Sequence, residues 1–187
     1  MGDTVYVKTE DTRSALVRAG IELMEETGSA EIGLREIARR AGVSHGAPRR
    51  WFPTHRSLLA AIAEVGLNDL SAVLAAAAGT DGNLAPLAVA YVDFARRRPA
   101  MFTLIFRHDL LEGSGSELRT VSQPLFTWLV TMVEQSADVE DAAQSAAALW
   151  VGVHGIAVLS STGSLGLAAS NVNETELIDR VVRDSLR

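Results

Sequence analysis

The sequence predicts an all-α fold of about nine helices in two parts, three N-terminal helices followed by a larger helical C-terminal region. Three observations lead there. Apolar residues recur at the three-and-four spacing that lines one face of a helix. No run alternates as a half-buried strand does, and the β-branched residues lie scattered among abundant alanines. Glycine or proline stands where most of the periodic segments end, as helix stops do.

The first predicted helix runs from Asp11 to Thr27 with Leu16, Ala19, Leu23 and Met24 as its buried stripe, and Gly28 ends it. A short second helix, Leu34 to Arg40, places Leu34, Ile37, Ala38 and Ala41 on one face and is stopped by Gly42. Val43-Ser44 then offers an apolar residue ahead of a hydroxyl N-cap, so a third helix is expected from Ser44 to Trp51, broken by Phe52-Pro53-Thr54. Leu58, Leu59, Ile62, Val65, Gly66, Leu70 and Val73 describe one long helix over 55–78, ending at Gly79-Thr80-Asp81-Gly82. Further helices are expected over 84–97, 99–108, 117–136, 139–162 and 174–186. Pro99, Gly113-Ser114-Gly115, Ala137-Asp138 and the stretch 163–173 separate them.

With 187 residues, 48% of them hydrophobic, the chain can bury one substantial core and support a second domain. Cysteine is absent, which removes disulfides, thiolate metal sites and a cysteine nucleophile. Met1-Gly2-Asp3-Thr4 has no signal-peptide pattern, and no apolar run is read as reaching the roughly 18 residues of a membrane span, so a cytoplasmic protein without a membrane partner is expected. The net charge of −6 is unevenly distributed. Residues 31–56 hold six arginines (35, 39, 40, 49, 50 and 56) against Glu31 and Glu36, a net +4 that leaves −10 on the rest.

Two short helices joined by Ala41-Gly42-Val43-Ser44 have the sequence geometry of a helix-turn-helix: glycine permits the turn, valine fills the angle and serine caps the second helix. That helix would enter a DNA major groove and present His45, Arg49, Arg50 and Trp51, with Ser44 donating to phosphate. Arg35, Gly46, His55 and Arg56 complete the expected DNA-binding set. Catalytic machinery is not visible. The four histidines (His45, His55, His108 and His154) are at no metal-ligand spacing from one another, and no glycine-rich phosphate loop occurs, so neither an enzyme nor a metal or other cofactor is expected. A helical interaction module without DNA binding is the rival to a DNA-binding regulator, and the +4 segment speaks against it.

Over Leu16 to Ile62 the sequence resembles the tetracycline-repressor (TetR) family. The resemblance is carried by Ala19 through Gly28, Leu34-Arg35-Glu36-Ile37-Ala38, Ala41-Gly42-Val43-Ser44, Gly46-Ala47, Trp51-Phe52-Pro53 and Leu58-Leu59. Ala148-Leu149-Trp150-Val151-Gly152-Val153-His154-Gly155 is similar to the tryptophan-histidine-glycine signature of one subgroup of its regulatory domains. The resemblance implies a transcriptional repressor that binds an inverted-repeat operator as a homodimer and is released by a small molecule, with a DNA-binding domain at 1–54 and a ligand-binding and dimerisation domain at 55–187. Departures from the family pattern are visible. Pro48-Arg49 replaces a leucine-tyrosine pair, so a tyrosine contact to phosphate does not carry over. Trp51 replaces a histidine, and Gly33 stands where a threonine usually caps the second helix. With Ser44 as cap, Pro48 falls at the fourth helical position, where it removes a hydrogen bond and crowds the preceding turn; either the first turn tightens or the helix starts later.

Aromatic residues at helical spacing in the middle of the chain can enclose an apolar or aromatic ligand. The expected lining is Tyr91, Phe94, Phe102, Phe106, Phe126 and Trp150, with His108, Gln123 and His154 as polar anchors. For the homodimer, Ala143, Ala146 and Ala147 keep one helix flat, while Leu177, Ile178, Val181 and Val182 supply an apolar stripe, together a four-helix interface about a two-fold axis.

Overall fold

A computed structural model describes residues 3–79, 82–114 and 118–187, with side chains from Thr12 onward. Thr80 and Asp81 of the expected interdomain break, and Gly115 with the expected helix start at 117, lie outside the described residues. Among those described there are eleven helical segments and no strand: α1 (Asp3–Thr27), α2 (Leu34–Arg40), α3 (Pro48–Trp51), α4 (His55–Ala77), α5 (Ala85–Arg97), α6 (Pro99–Phe106), α7 (His108–Leu111), α8 (Arg119–Ser136), α9 (Ala142–Ser161), α10 (Ser164–Ala168) and α11 (Glu174–Ser185). The all-α expectation holds.

Four of the differences from the sequence reading have a local reason. α1 begins eight residues earlier than expected, at Asp3 rather than Asp11, in a stretch whose β-branched residues give no helix signal. The third helix starts at Pro48 rather than Ser44, because proline is tolerated at the first helical position and not at the fourth. The expected helix 99–108 divides at Arg107 into α6 and the single turn α7. After α9, Gly163 at φ 72 resets the backbone and a five-residue α10 follows in what was expected to be a loop.

The chain forms two compact units, residues 1–66 with 100–118, and residues 67–99 with 119–187. In the first, Leu16, Leu23, Met24, Ile37, Leu58 and Ile62 are buried together with Met101 and Leu104 of α6. Gly20 and Gly66 allow close helix approach, since a methyl group at the first would overlap Ile62 and at the second Met101. In the second unit α9 packs against α5, α8, α10 and α11. Ala146, Leu149, Val153, Ile156 and Ala157 form its buried face, and Ile178 and Val182 of α11 close over the same core. Asp141 caps α9 by accepting from Gln144 N at 3.0 Å, and Asn173 caps α11 by accepting from Thr175 N at 3.0 Å. Glu174, in the first turn of α11, accepts from Arg96 of α5 and Ser160 of α9 and so joins three helices.

α4 and α9 are both long and apolar enough to cross a membrane, which corrects the expectation that no segment reaches that length. α9 contains no Asp, Glu, Lys or Arg; single serines, glutamine and histidine interrupt its apolar runs and hide it from a reading by consecutive residues. More than half of α4's apolar stretch is buried within the fold, whereas only 28% of α9's is.

Candidate functional site

The turn between α2 and α3 is built by backbone hydrogen bonds. Gly42, at φ 68, donates to Arg39 O at 3.2 Å and Val43 donates to Ala38 O at 3.0 Å, the paired closure of a helix end that needs a left-handed residue. Ala47 N then donates to Ser44 O at 3.0 Å, making a turn of Ser44 to Ala47 before α3 begins. Pro48 is buried, Phe52 behind it is 3% exposed, and Arg13 of α1 lies over the Phe52 ring at 5.3 Å. At this tip Ser44, His45, Gly46, Arg49 and Arg50 are exposed and Trp51 is half-buried.

The arginines divide by their carboxylate neighbours. Arg40 is held by Glu26, its Nη1 donating to Oε1 at 2.7 Å, with Glu22 at 3.7 Å; Glu26 is thereby pushed below the ordinary carboxylate range and Arg40 above its own. Arg39 lies 3.8 Å from Glu36. Arg35, Arg49 and Arg50 are exposed and have no ion pair among the described residues, so their charge is available to an outside anion. At the start of α4, Thr54 and Ser57 cap each other reciprocally, Ser57 N to Thr54 Oγ1 at 3.0 Å and Thr54 N to Ser57 Oγ at 3.1 Å. This sets exposed His55 and Arg56 in the first turn, and Arg56 Nη1 donates to Glu112 O at 3.2 Å.

In the second unit three of the expected ligand residues meet. Trp150 Nε1 donates to the Tyr91 hydroxyl at 3.3 Å, and that hydroxyl lies 2.9 Å from His154 Nδ1. The Phe126 ring is 6.2 Å from Trp150. Burial, foremost, pushes the Tyr91 phenol above its usual pKa and the half-buried His154 below its own, so both are neutral near pH 7. Phe94 is core, 5% exposed with Arg98 over its ring. The rings of Phe102 and Phe106 meet at 5.0 Å, tilted by 59°, within the first unit, where His108 is exposed. Gln123 faces a different surface of α8, an open hollow of about 570 Å³ shared with Arg119, Thr120, Pro124, Thr127, Trp128 and Thr131. Arg119, Thr120 and Thr127 were missed by the sequence reading, although their place three or four residues from Gln123 was the available signal.

Of the expected dimer residues, Ala146, Ile178 and Val182 are buried in their own chain, Ala147, Leu177 and Val181 are half-buried, and Ala143 is exposed. The apolar residues left uncovered are others. Trp150, Val151, Val158 and Leu159 of α9 are exposed, Val151 by 67%, and Leu167 of α10 by 89%. Ala148, Val151, Gly155 and Val158 follow the three-and-four spacing of one face, and nothing in the described chain lies within 4 Å of where a Gly155 side chain would start.

Residues 16–62 match the model of the tetR family of bacterial regulatory proteins, and residues 84–185 match that of the tetracyclin repressor-like C-terminal domain. No curated protein matches the chain. Among solved structures, a Rhodococcus sp. RHA1 protein of unknown function is 27% identical, with 94% of each chain covered and a TM-score of 0.78. A tetR-family transcriptional regulator from Streptomyces coelicolor is 20% identical, covering 94% of this chain and 79% of that one with a TM-score of 0.67. RolR in complex with resorcinol is 18% identical, covering 96% and 89%, with a TM-score of 0.64.

Proposed function

Since the chain belongs to the tetR family of bacterial regulatory proteins, we propose that it is a cytoplasmic repressor whose residues 1–54 bind an inverted-repeat operator and whose residues 55–187 hold a small effector and pair two copies. The observation that carries this reading is the exposed tip of Ser44 to Arg50, with Arg35, Arg49 and Arg50 unclaimed by carboxylates while Arg39 and Arg40 are held. Arginine there donates either to guanine in the major groove or to phosphate. In a homodimer the two tips fall on half-sites roughly 34–36 Å apart or a multiple of that. The uncharged outer face of α9 is the surface a second copy covers: Ala148 and Gly155 admit close helix approach and Val151 and Val158 fill the seam.

Tyr91, Trp150 and His154 are the effector site, and their neutral, aromatic chemistry favours an uncharged aromatic compound. RolR, a structure of the same fold, holds such a compound in resorcinol. The effector releases DNA by binding the DNA-incompetent conformation more tightly. The test is a gel shift with the intergenic DNA beside the gene. A double Arg49→Ala, Arg50→Ala variant remains a folded dimer and loses operator binding at physiological salt; sequence-specific binding that survives in it overturns the assignment.

A further inference from the structure

The buried stripe of α1 ends in a cation. Leu16 and Val17 are buried, and Arg13 stands three residues before the first and four before the second, one turn further out on the same face. Its side chain is exposed, and its guanidinium lies over the ring of buried Phe52, 5.3 Å from the centroid. Phe52 closes the recognition helix, its N–H donating to Pro48 O at 2.8 Å, so the ring holds Arg13 beside the end of α3. A guanidinium against a ring face keeps the N–H groups of its edge for other acceptors. Arg13 has no ion pair or side-chain hydrogen bond among the described residues. Arg98 makes the contrast: it lies over Phe94 at 5.7 Å and is also paired with Asp69 at 2.6 Å. Between Arg40 and Glu64 the sequence holds no Asp or Glu, so the stretch around Phe52 brings no carboxylate to Arg13. Covering the ring requires apolar area and not charge, which leaves the cation and its donors for an anion from outside the chain.

We propose that Arg13 is a DNA-phosphate contact outside the helix-turn-helix, positioned by the Phe52 ring beside the recognition tip. It stands three residues before the stretch 16–62 that matches the tetR model. The proposal rests on the DNA-binding reading above. A recognition helix that enters the major groove puts its own residues against base edges and brings the helices behind it to the bordering backbone, so an arginine carried by α1 meets phosphate rather than bases. Phe52 sets both sides of this arrangement: its main chain closes α3 and its ring fixes Arg13, so base reading and phosphate register keep a constant relation.

Fluorescence anisotropy of the full chain on the intergenic fragment and on a scrambled duplex of equal length, each at several salt concentrations, tests it. Arg13→Gln is expected to weaken binding to both duplexes by the same factor, about fivefold per lost contact at about 0.15 M salt, and to make the salt dependence shallower by about one unit per contact. Arg13→Lys, which keeps the charge, restores the parent slope. Phe52→Leu, which keeps an apolar side chain and removes the ring, weakens binding in the parent and adds little on top of Arg13→Gln, because the two act through one contact. Urea unfolding of each variant reads the fold separately. A parent salt slope in Arg13→Gln, whatever its stability, overturns the phosphate contact and leaves Arg13 as a cover for Phe52. A loss confined to the intergenic fragment overturns it in favour of base reading. Fully additive losses from Arg13→Gln and Phe52→Leu overturn the positioning by the ring. Arg50→Ala is measured alongside: a slope that it changes while Arg13→Gln does not sinks the Arg13 contact alone, whereas a parent that binds neither duplex sinks the DNA-binding reading and this contact with it.

Discussion

Arg40 and Arg50 are the same residue type ten positions apart, and their surroundings give them different work. Arg40 is held between Glu22 and Glu26, whereas Arg50 meets no carboxylate among the described residues. Arg50→Ala is expected to weaken operator binding by about 1–3 kcal/mol, with relaxed preference at one base position if it reads guanine, or a salt dependence shallower by about one unit if it holds phosphate. Arg40→Ala leaves both the base preference and the salt slope unchanged, which titrations at several salt concentrations check. His154 carries a prediction with a definite sign. Its pKa is lowered in the folded chain by burial, so the unfolded chain takes up a proton first as pH falls. Its contribution to stability is therefore full above its ordinary value of 6.5 and is lost as pH drops from there toward the lower folded value. The melting temperature should fall between about pH 7.5 and about pH 5.5 by more in the parent than in His154→Asn, and equal falls would contradict the assignment.

Among the elements, the α2–α3 connection shows how one glycine and one proline shape a reading tip. Gly42 at φ 68 closes α2, and an alanine there costs about 1–2 kcal/mol in backbone strain. Urea unfolding of Gly42→Ala should show that loss with an unchanged slope, since no buried surface is altered. Pro48 was the warning in the sequence that a helix from Ser44 could not be regular; which remedy the chain takes, a late start after a separate turn, required the structure. On α9 the outer face is the element under test. Val151→Glu puts a charge in the middle of the proposed seam and is expected to give a folded monomer by light scattering, with unchanged helicity. A dimer unaffected by that change places the two-fold interface elsewhere.

Across the whole molecule, the last helix has a role that the apolar stripe of its sequence did not announce. Ile178 is 2% exposed and Val182 6% exposed in the chain itself, and Glu174 bonds to two neighbouring helices. Truncation after Gly163 therefore uncovers the second unit's core, and insoluble protein is the expected outcome; a stable, soluble dimer from the truncation contradicts this role for α11. The sequence by itself determined what is local. The helical period, the stops at Gly28 and Gly42, the excess of arginine over 31–56 and the motif from Leu34 to Pro53 all act over one or two turns, so they are legible one segment at a time. Tertiary structure alone decided which apolar face is covered and which charge is neutralised. Ile178 and Val151 are equally apolar in the sequence, and Arg40 and Arg50 equally cationic. What separates them is the neighbour brought against each by folding, across 14 residues for the Arg40–Glu26 pair and 59 for Trp150 and Tyr91, and no short-range pattern encodes such a distance.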